Sequence, residues 1–342
     1  MGKIQDLIEN VNKTHNGLGN LVAMCVIVVK AKKLMLIVSP SGCGKSTAMS
    51  YVGNNMPNSW LPTSLSIASL ASKVEKLNSF RSVIVIDDIA NINTDYGRIT
   101  TINTLSALCY SHRVEPSMFG FDFSIEDFYG SALIGIQPVK LRELMLSSDW
   151  EASVQDKSLR YYHLIRPHSP LPPPIPARYD KGIEFDTVKD FDFISNPLWT
   201  KLYDLGMMQW SRSRTREHLV DYLKAIAALE NRKDVENSDF QLLYELLKPV
   251  AIEVIATAKN GLESERILDN NLLALLTEYY SYKGQFALAQ IAVDYKVTIQ
   301  QCYRIMSSQN GFWQQTSKSP TIYRPSKLLI EILKGNNLEV KK

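Results

Sequence analysis

Cysteine is scarce in this sequence. Its 342 residues include four cysteines, Cys25, Cys43, Cys109 and Cys302, and none of them forms a Cys-x-x-Cys pair. The five histidines are also scattered along the chain. This pattern argues against structural zinc and against a disulfide framework, and it predicts reduced thiols in a cytoplasmic protein.

A long hydrophobic run is missing as well. The most apolar stretch near the amino end, Leu21 to Val29, has nine residues and is followed by Lys30, Lys32 and Lys33. A membrane-spanning helix needs about 20 apolar residues. Because the stretch also lacks a cleavage site of small residues, we expect no signal peptide and no contact with a membrane.

Charge of either sign is not in large excess. The formal net charge is +3, which is too small to indicate a nucleic-acid partner by itself. Any such contact must depend on local clusters of basic residues. Hydrophobic residues make up 45% of the sequence and charged residues 21%, so the chain can bury large cores, and its length predicts two or three structural units.

The most informative segment that is present reads LMLIVSPSGCGKST, residues 34–47. An apolar strand here leads into a loop of small residues whose backbone N–H groups can converge on a phosphate, and a helix beginning near Gly44 would point its positive end at the same anion. Lys45 would contact the β- and γ-phosphates of ATP, and Ser46 would bind Mg²⁺. The alternative is a Gly/Ser turn between two core elements. The motif predicts that nucleotide is bound by Ser41, Gly42, Cys43, Gly44, Lys45, Ser46 and Thr47.

One departure from the usual G-x-x-x-x-G-K-[ST] pattern is Ser39, which replaces the first glycine. A second segment, SVIVIDDI at residues 82–89, has the composition of a buried parallel strand with two carboxylates at its carboxyl end. Ligands bind at that end of the strands in open parallel sheets. We therefore expect Asp87 to bind Mg²⁺ and Asp88 to orient the attacking water. By itself, such a run is equally typical of a strand followed by a turn or a helix cap.

Three changes of pattern divide the chain. Up to residue 167, strand-like runs alternate with helical segments, which predicts a parallel sheet with helices on both faces. Six prolines between Pro167 and Pro176 predict a stiff linker over residues 168–195. Helical spacing of apolar residues then predicts an all-α unit over residues 196–262.

The last unit, residues 263–342, has the pattern of a winged helix. A helix would begin after Thr298, with Ile299 facing inward, and GFWQQTSKSPTIYRP predicts two short strands around a Ser-Lys-Ser-Pro turn. The outer face of the helix would enter the major groove of DNA, and the wing would contact phosphates. The alternative is a winged helix used for protein docking. The predicted DNA-binding residues are Gln300, Arg304, Lys318 and Arg324.

The order of these parts resembles the AAA+ ATPases: a P-loop sheet, an all-α lid and a C-terminal winged helix. The aromatic segment VEPSMFGFDFSIEDFYGS is similar to the hairpin inserted before the sensor strand in the MCM, MoxR and RuvB branch, and the overall order is most similar to RuvB members. In DNA motors of that branch the hairpin touches DNA, although alternating Phe residues are equally typical of a strand packed on a core.

The resemblance implies further site residues. A polar residue at the tip of the strand after the two aspartates senses the γ-phosphate in this family, and SALIGIQP places Gln137 there. An arginine near the last strand acts on the neighbouring subunit's nucleotide, and KSLRYYHLI places Arg160 there; the alternative is an ordinary surface ion pair. An arginine of the lid reaches the γ-phosphate in cis, and this role falls to Arg214, with Arg212 and Arg216 as neighbours. Asp88 stands where the family usually has Glu.

These implications predict a homo-oligomeric ATPase, ring-shaped or helical, that uses ATP and Mg²⁺ to move along or remodel DNA. Two alternatives stay open. One is a chaperone similar to MoxR that remodels a protein partner, and the other is a slow, ATP-switched initiator or scaffold on DNA.

Overall fold

The computed structural model describes residues 2–63, 65, 67–115, 117–118, 121–163, 182–253, 286–289, 298–300, 303 and 313–326. The proline run of the predicted linker, the tip of the Phe-rich hairpin and Arg304 lie outside the described residues. The helices are α1 (Lys3–Thr14), α2 (Gly19–Lys30), α3 (Lys45–Asn55), α4 (Ile67–Ala71), α5 (Val74–Leu77), α6 (Asp95–Ser111), α7 (Pro138–Met145), α8 (Ser148–Ser153), α9 (Trp199–Gly206), α10 (Arg212–Leu229) and α11 (Asn237–Leu247). The strands are β1 (Leu34–Val38), β2 (Val83–Ile86), β3 (Ser117–Met118), β4 (Phe121–Asp122), β5 (Ser131–Ile136), β6 (Ser158–Tyr162), β7 (Phe286–Ala287), β8 (Trp313–Lys318) and β9 (Thr321–Pro325).

The central sheet is parallel and has the strand order β2-β5-β1-β6. Strand β1 pairs with β5 on one side and with β6 on the other, and an isolated parallel bridge between Trp60 and Ile84 lies beyond β2. All four strands are buried along their whole length, as expected for aliphatic strands covered on both faces. The predicted parallel α/β sheet with flanking helices is confirmed.

Side chains of β1 alternate between two cores. Leu34, Leu36 and Val38 pack on one face together with residues of α6, whereas Met35 and Ile37 pack on the other with residues of α1, α2 and α3. The apolar run of residues 21–29 is the fully buried helix α2, which contacts both the sheet and α10. Among the helices that the structure describes, none is long and apolar enough to cross a membrane.

The helical region after residue 196 packs directly on this second core. Leu219 and Tyr222 of α10 and Leu243 of α11 share the core with Leu159 and Tyr161 of β6. The predicted helices are therefore present, and their described residues share one core with the α/β sheet. The boundaries of the predicted units stay predictions.

Both predicted hairpins are present in the described residues. Strands β3 and β4 are antiparallel, and a bridge between Val114 and Ile125 extends the pairing toward β5. In the carboxy-terminal part, β8 and β9 form the antiparallel hairpin around the Ser-Lys-Ser-Pro turn, and β7 adds a third strand. Ile299 is 55% exposed, so its predicted inward position is wrong. The winged helix as a whole stays a prediction.

One buried histidine ties α10 to the start of β6. The His218 ring has no exposed surface, its Nε2 donates to the carbonyl oxygen of Asp156 at 2.9 Å, and it lies against Trp210 with a centroid distance of 4.6 Å. Burial, reinforced by the charge of Lys33, lowers the pKa of His218 to about 4. The folded protein therefore holds this ring in its neutral form at pH 7.

His218 should make the fold sensitive to mild acid. The unfolded chain binds this proton near pH 6.5 and the folded protein near about 4, so the contribution is complete above pH 6.5 and is lost as the pH falls toward 4. At pH 5 the loss amounts to about 2 kcal/mol. We expect urea unfolding at pH 7 and pH 5 to show a larger drop in wild type than in His218→Gln. Equal drops would contradict the neutral buried ring.

Candidate nucleotide-binding site

The phosphate loop joins β1 to α3 at the carboxyl edge of the sheet. Gly42 and Gly44 have φ angles of +80° and +81°, a left-handed conformation that glycine adopts without strain. Gly44 is the N-cap of α3, and the space next to the Gly42 Cα is open. Ser39 is buried, and its backbone N–H donates to the Ile136 carbonyl at 3.0 Å. The predicted strand, loop and helix are therefore present, with serine accommodated at the first position.

Asp88 brings three elements together beside this loop. Its Oδ2 lies 3.1 Å from Lys45 Nζ and 3.5 Å from Gln137 Nε2. Its Oδ1 accepts the backbone N–H of Ala90 at 3.0 Å and thereby caps the short 3-10 turn Ile89–Asn91. Lys45 is buried, with 7% of its surface exposed. The structure thus brings Lys45, Asp88 and Gln137 together, and the roles assigned to them stay predictions.

The residues predicted to bind Mg²⁺ lie at the same edge. Ser46 is in the first turn of α3, Asp87 follows β2 directly, and both side chains are exposed. Hydroxyl and carboxylate oxygens are the ligands that Mg²⁺ prefers, usually together with phosphate oxygens and water. Within the described part of the chain, no group of three or more His, Cys, Asp or Glu residues is placed to hold a metal by itself. This donor set fits a magnesium ion that arrives with a nucleotide.

Gly135 allows β5 to lie close to both Asp87 and Lys45, and the sequence analysis did not single it out. A Cβ atom at this position would be 1.9 Å from the carbonyl oxygen of Asp87 and 3.3 Å from Lys45 Cε. Only glycine leaves room for this close approach. The available signal was a glycine inside an otherwise apolar strand, two residues before Gln137.

A second missed residue is His163, which follows β6. It is fully buried, and its Nε2 lies 2.9 Å from the carbonyl oxygen of Cys43 in the phosphate loop. Cys43 is buried too, whereas Ser41 and Thr47 are exposed. A polar residue directly after an apolar strand of the sheet was the signal that pointed to it.

Arg160 does not have the predicted role. The side chain is completely buried within its own subunit, and its guanidinium donates to both carboxylate oxygens of Glu253 at 2.7–2.9 Å. It also donates to the backbone carbonyls of Gln155 and Gln209 at 2.6 and 2.8 Å. An arginine enclosed in this way cannot reach a neighbouring subunit's nucleotide. The alternative, an ordinary surface ion pair, is also wrong, because Arg160 and Glu253 form an ion pair in the interior.

Arg214 is also far from the phosphate loop. Its guanidinium carbon lies over the Tyr110 ring, 4.1 Å from the ring centroid, and its Nη1 pairs with Glu217 at 2.7 Å. Glu217 in turn pairs with Lys33, the residue before β1. These groups lie at the amino edge of the sheet. Because β1 has five residues, its two ends are about 13 Å apart. The predicted contact of Arg214 with the γ-phosphate is therefore wrong for this conformation.

The predicted nucleic-acid residues are only partly described. Gln300, Lys318 and Arg324 are exposed, and Arg324 donates to Gln314 Oε1 at 3.0–3.1 Å across the β8–β9 hairpin. Exposure agrees with a contact role but does not test it, so these assignments stay predictions.

Comparison with known proteins adds one similarity. Residues 35–122 match the family model described as RNA helicase. The matched segment begins in β1, contains Lys45, Asp87 and Asp88, and ends in β4. Together with the parallel sheet, the match fits a P-loop NTPase core. No curated protein matches the chain.

Gly135→Ala should disrupt the site from within the sheet. The added methyl group would overlap the Asp87 carbonyl at 1.9 Å, so β5 and the β2 end must separate. We expect a loss of about 3 kcal/mol in the free energy of unfolding, measured with urea, together with weaker nucleotide binding. Gly53→Ala is the matched control, since its methyl group would meet only side chains, at 3.2–3.3 Å. Equal losses in both variants would contradict the special position of Gly135.

Arg160→Met should destabilise the fold, because it leaves the Glu253 carboxylate buried without its guanidinium. We expect a loss of about 3 to 5 kcal/mol in urea unfolding. The double variant Arg160→Met/Glu253→Met should lose less, because no uncompensated charge remains. A stable Arg160→Met protein with abolished hydrolysis would instead support the role in trans.

Proposed function

We propose that this protein is an ATPase whose hydrolysis drives movement along, or remodelling of, a nucleic acid. The observation that carries the proposal is the convergence of Lys45, Asp88 and Gln137 beside a glycine-rich loop. Lys45 and Asp88 lie inside the segment that matches the RNA helicase model. Cofactors are ATP, bound by residues 41–47, and Mg²⁺, bound by Ser46 and Asp87.

Each side chain has a distinct task in this chemistry. Lys45 neutralises charge on the β- and γ-phosphates, and bound Mg²⁺ adds electrostatic stabilisation of the transferred phosphoryl group. Asp88 orients the attacking water and accepts its proton, while Gln137 contacts the same carboxylate oxygen as Lys45. Because Lys45 Nζ is 3.1 Å from Asp88 Oδ2, phosphate binding must draw the lysine away before this oxygen can contact water. The ion pair thus holds the base inactive until nucleotide enters.

The strand order supports the AAA+ assignment made from the sequence. Strand β5 lies between β1 and β2, which brings Gln137 at the end of β5 beside Asp88 at the end of β2. We extend the proposal to a homo-oligomer, in which a neighbouring copy completes the pocket with a cation other than Arg160.

Either RNA or DNA is compatible with the exposed residues of the β8–β9 hairpin. Lys318 and Arg324 suit phosphate contacts with both polymers, and the name of the matched family favours RNA, whereas the winged-helix pattern favours DNA. RNA and DNA share a polyanionic strand. The experiment therefore tests each polymer separately.

Hydrolysis of ATP should require Lys45 and increase with nucleic acid. We expect Lys45→Ala and Asp88→Asn to lower kcat about 100-fold or more, because each removes a group that acts on the reacting phosphate or water. Phosphate release is measured with single-stranded RNA, single-stranded DNA or duplex DNA, and binding is measured from low to high salt. The control is Lys140→Ala, which breaks an exposed ion pair with Glu143.

Two results would count against the proposal separately. Hydrolysis that persists in Lys45→Ala would refute the assigned site. Full activity without any stimulation by the three polymers, and without salt-sensitive binding to them, would leave an ATPase and refute the nucleic-acid half.

A further inference from the structure

We propose that His163 is a positioning residue that holds the phosphate loop in its anion-binding conformation. This inference rests on the proposed nucleotide site and deepens it. It assigns a role to the buried side chain directly after β6, the strand that pairs with β1 on the side away from β5.

Two hydrogen bonds attach His163 to the loop strand and to the loop itself. Its backbone N–H donates to the Val38 carbonyl at 2.9 Å, which continues the β1–β6 pairing by one residue. Its ring Nε2 lies 2.9 Å from the Cys43 carbonyl oxygen. A carbonyl oxygen can only accept, so Nε2 carries the proton and donates. Hydrogen bonds therefore hold both the backbone N–H of His163 and the far nitrogen of its ring.

The bond to Cys43 determines the direction of the next backbone amide. A trans peptide unit is planar, so the C=O of Cys43 and the N–H of Gly44 point in opposite directions. With the carbonyl held toward β6, the Gly44 N–H points to the opposite side of the loop. Backbone N–H groups on that side cradle the phosphates in loops with this sequence pattern.

Glycine makes such a restraint necessary. Gly42 and Gly44 flank Cys43, and both adopt positive φ angles. Glycine reaches several backbone conformations at little energetic cost, so the loop by itself has little to prevent the peptide between Cys43 and Gly44 from turning over. A donor built into the neighbouring strand removes that freedom before the nucleotide arrives, which favours binding.

The choice of side chain follows from the surroundings. The site has no exposed surface, so a neutral donor is less costly there than a lysine or arginine. An imidazole is rigid and has its donor at the far end of the ring. Glutamine has a donor at similar reach, whereas leucine fills similar space without one.

The test compares His163→Leu with His163→Gln in the full chain. We expect His163→Leu to raise both KM for ATP and the Kd of a fluorescent ATP analogue about tenfold, through loss of one buried hydrogen bond, with a smaller change in kcat. His163→Gln should recover most of the affinity. If His163→Leu binds the analogue as tightly as His163→Gln, and the two variants have equal thermal stability, His163 is only a packing residue and the proposal is overturned.

A second measurement separates this proposal from the proposed function. Hydrogen exchange of the amides of residues 42–45, without nucleotide, should be at least several-fold faster in His163→Leu than in wild type or His163→Gln. Unchanged exchange would overturn the positioning role even if the protein hydrolyses ATP. Faster exchange in His163→Leu, combined with a wild-type chain that fails to bind the analogue, would uphold the restraint and refute the nucleotide site. If His163→Leu does not fold, His163→Asn, whose amide is too short to reach Cys43, replaces it in both assays.

Discussion

The close approach of β1, β5 and β2 at one edge of a buried parallel sheet is the constraint on which the candidate site depends. Each strand delivers one polar group to that edge: Lys45 after β1, Asp88 after β2 and Gln137 after β5. The 3.1 Å contact between the lysine and the aspartate spans the central strand, and it exists because Gly135 presents no side chain there. The sheet thus converts three separate loops into one pocket.

The opposite edge of the sheet is held by a different set of charges. Lys33 pairs with Glu217 and with Asp221, at 3.2 and 2.7 Å. Burial by itself would lower the pKa of Lys33, but the two carboxylates offset it and raise the pKa. Arg214 belongs to this network through Glu217. Helix α10 is therefore held at the amino edge, away from the phosphate loop.

Chemistry encoded in contiguous residues could be predicted from the sequence. The loop, the helix that begins at Lys45, the strand before Asp87 and the tip residue Gln137 each depend on a short local pattern. Arg160 depends on a partner 93 residues away, Glu253, and no local pattern shows that this carboxylate lies beneath β6. Gly135 was missed for the same reason, because its role depends on which backbone atoms the fold brings against it.

The double engagement of Asp88 explains why an aspartate, and not the glutamate usual in similar ATPases, follows Asp87. One carboxylate oxygen accepts the Ala90 N–H and caps the turn Ile89–Asn91, a position where aspartate is strongly preferred because its short side chain reaches back to the backbone. The other oxygen faces Lys45 and Gln137. A side chain longer by one methylene could not keep both contacts in the same geometry, so the shorter acid couples the position of this carboxylate to the backbone that follows β2. The orientation of Asp88 is thereby fixed by the fold before any nucleotide binds.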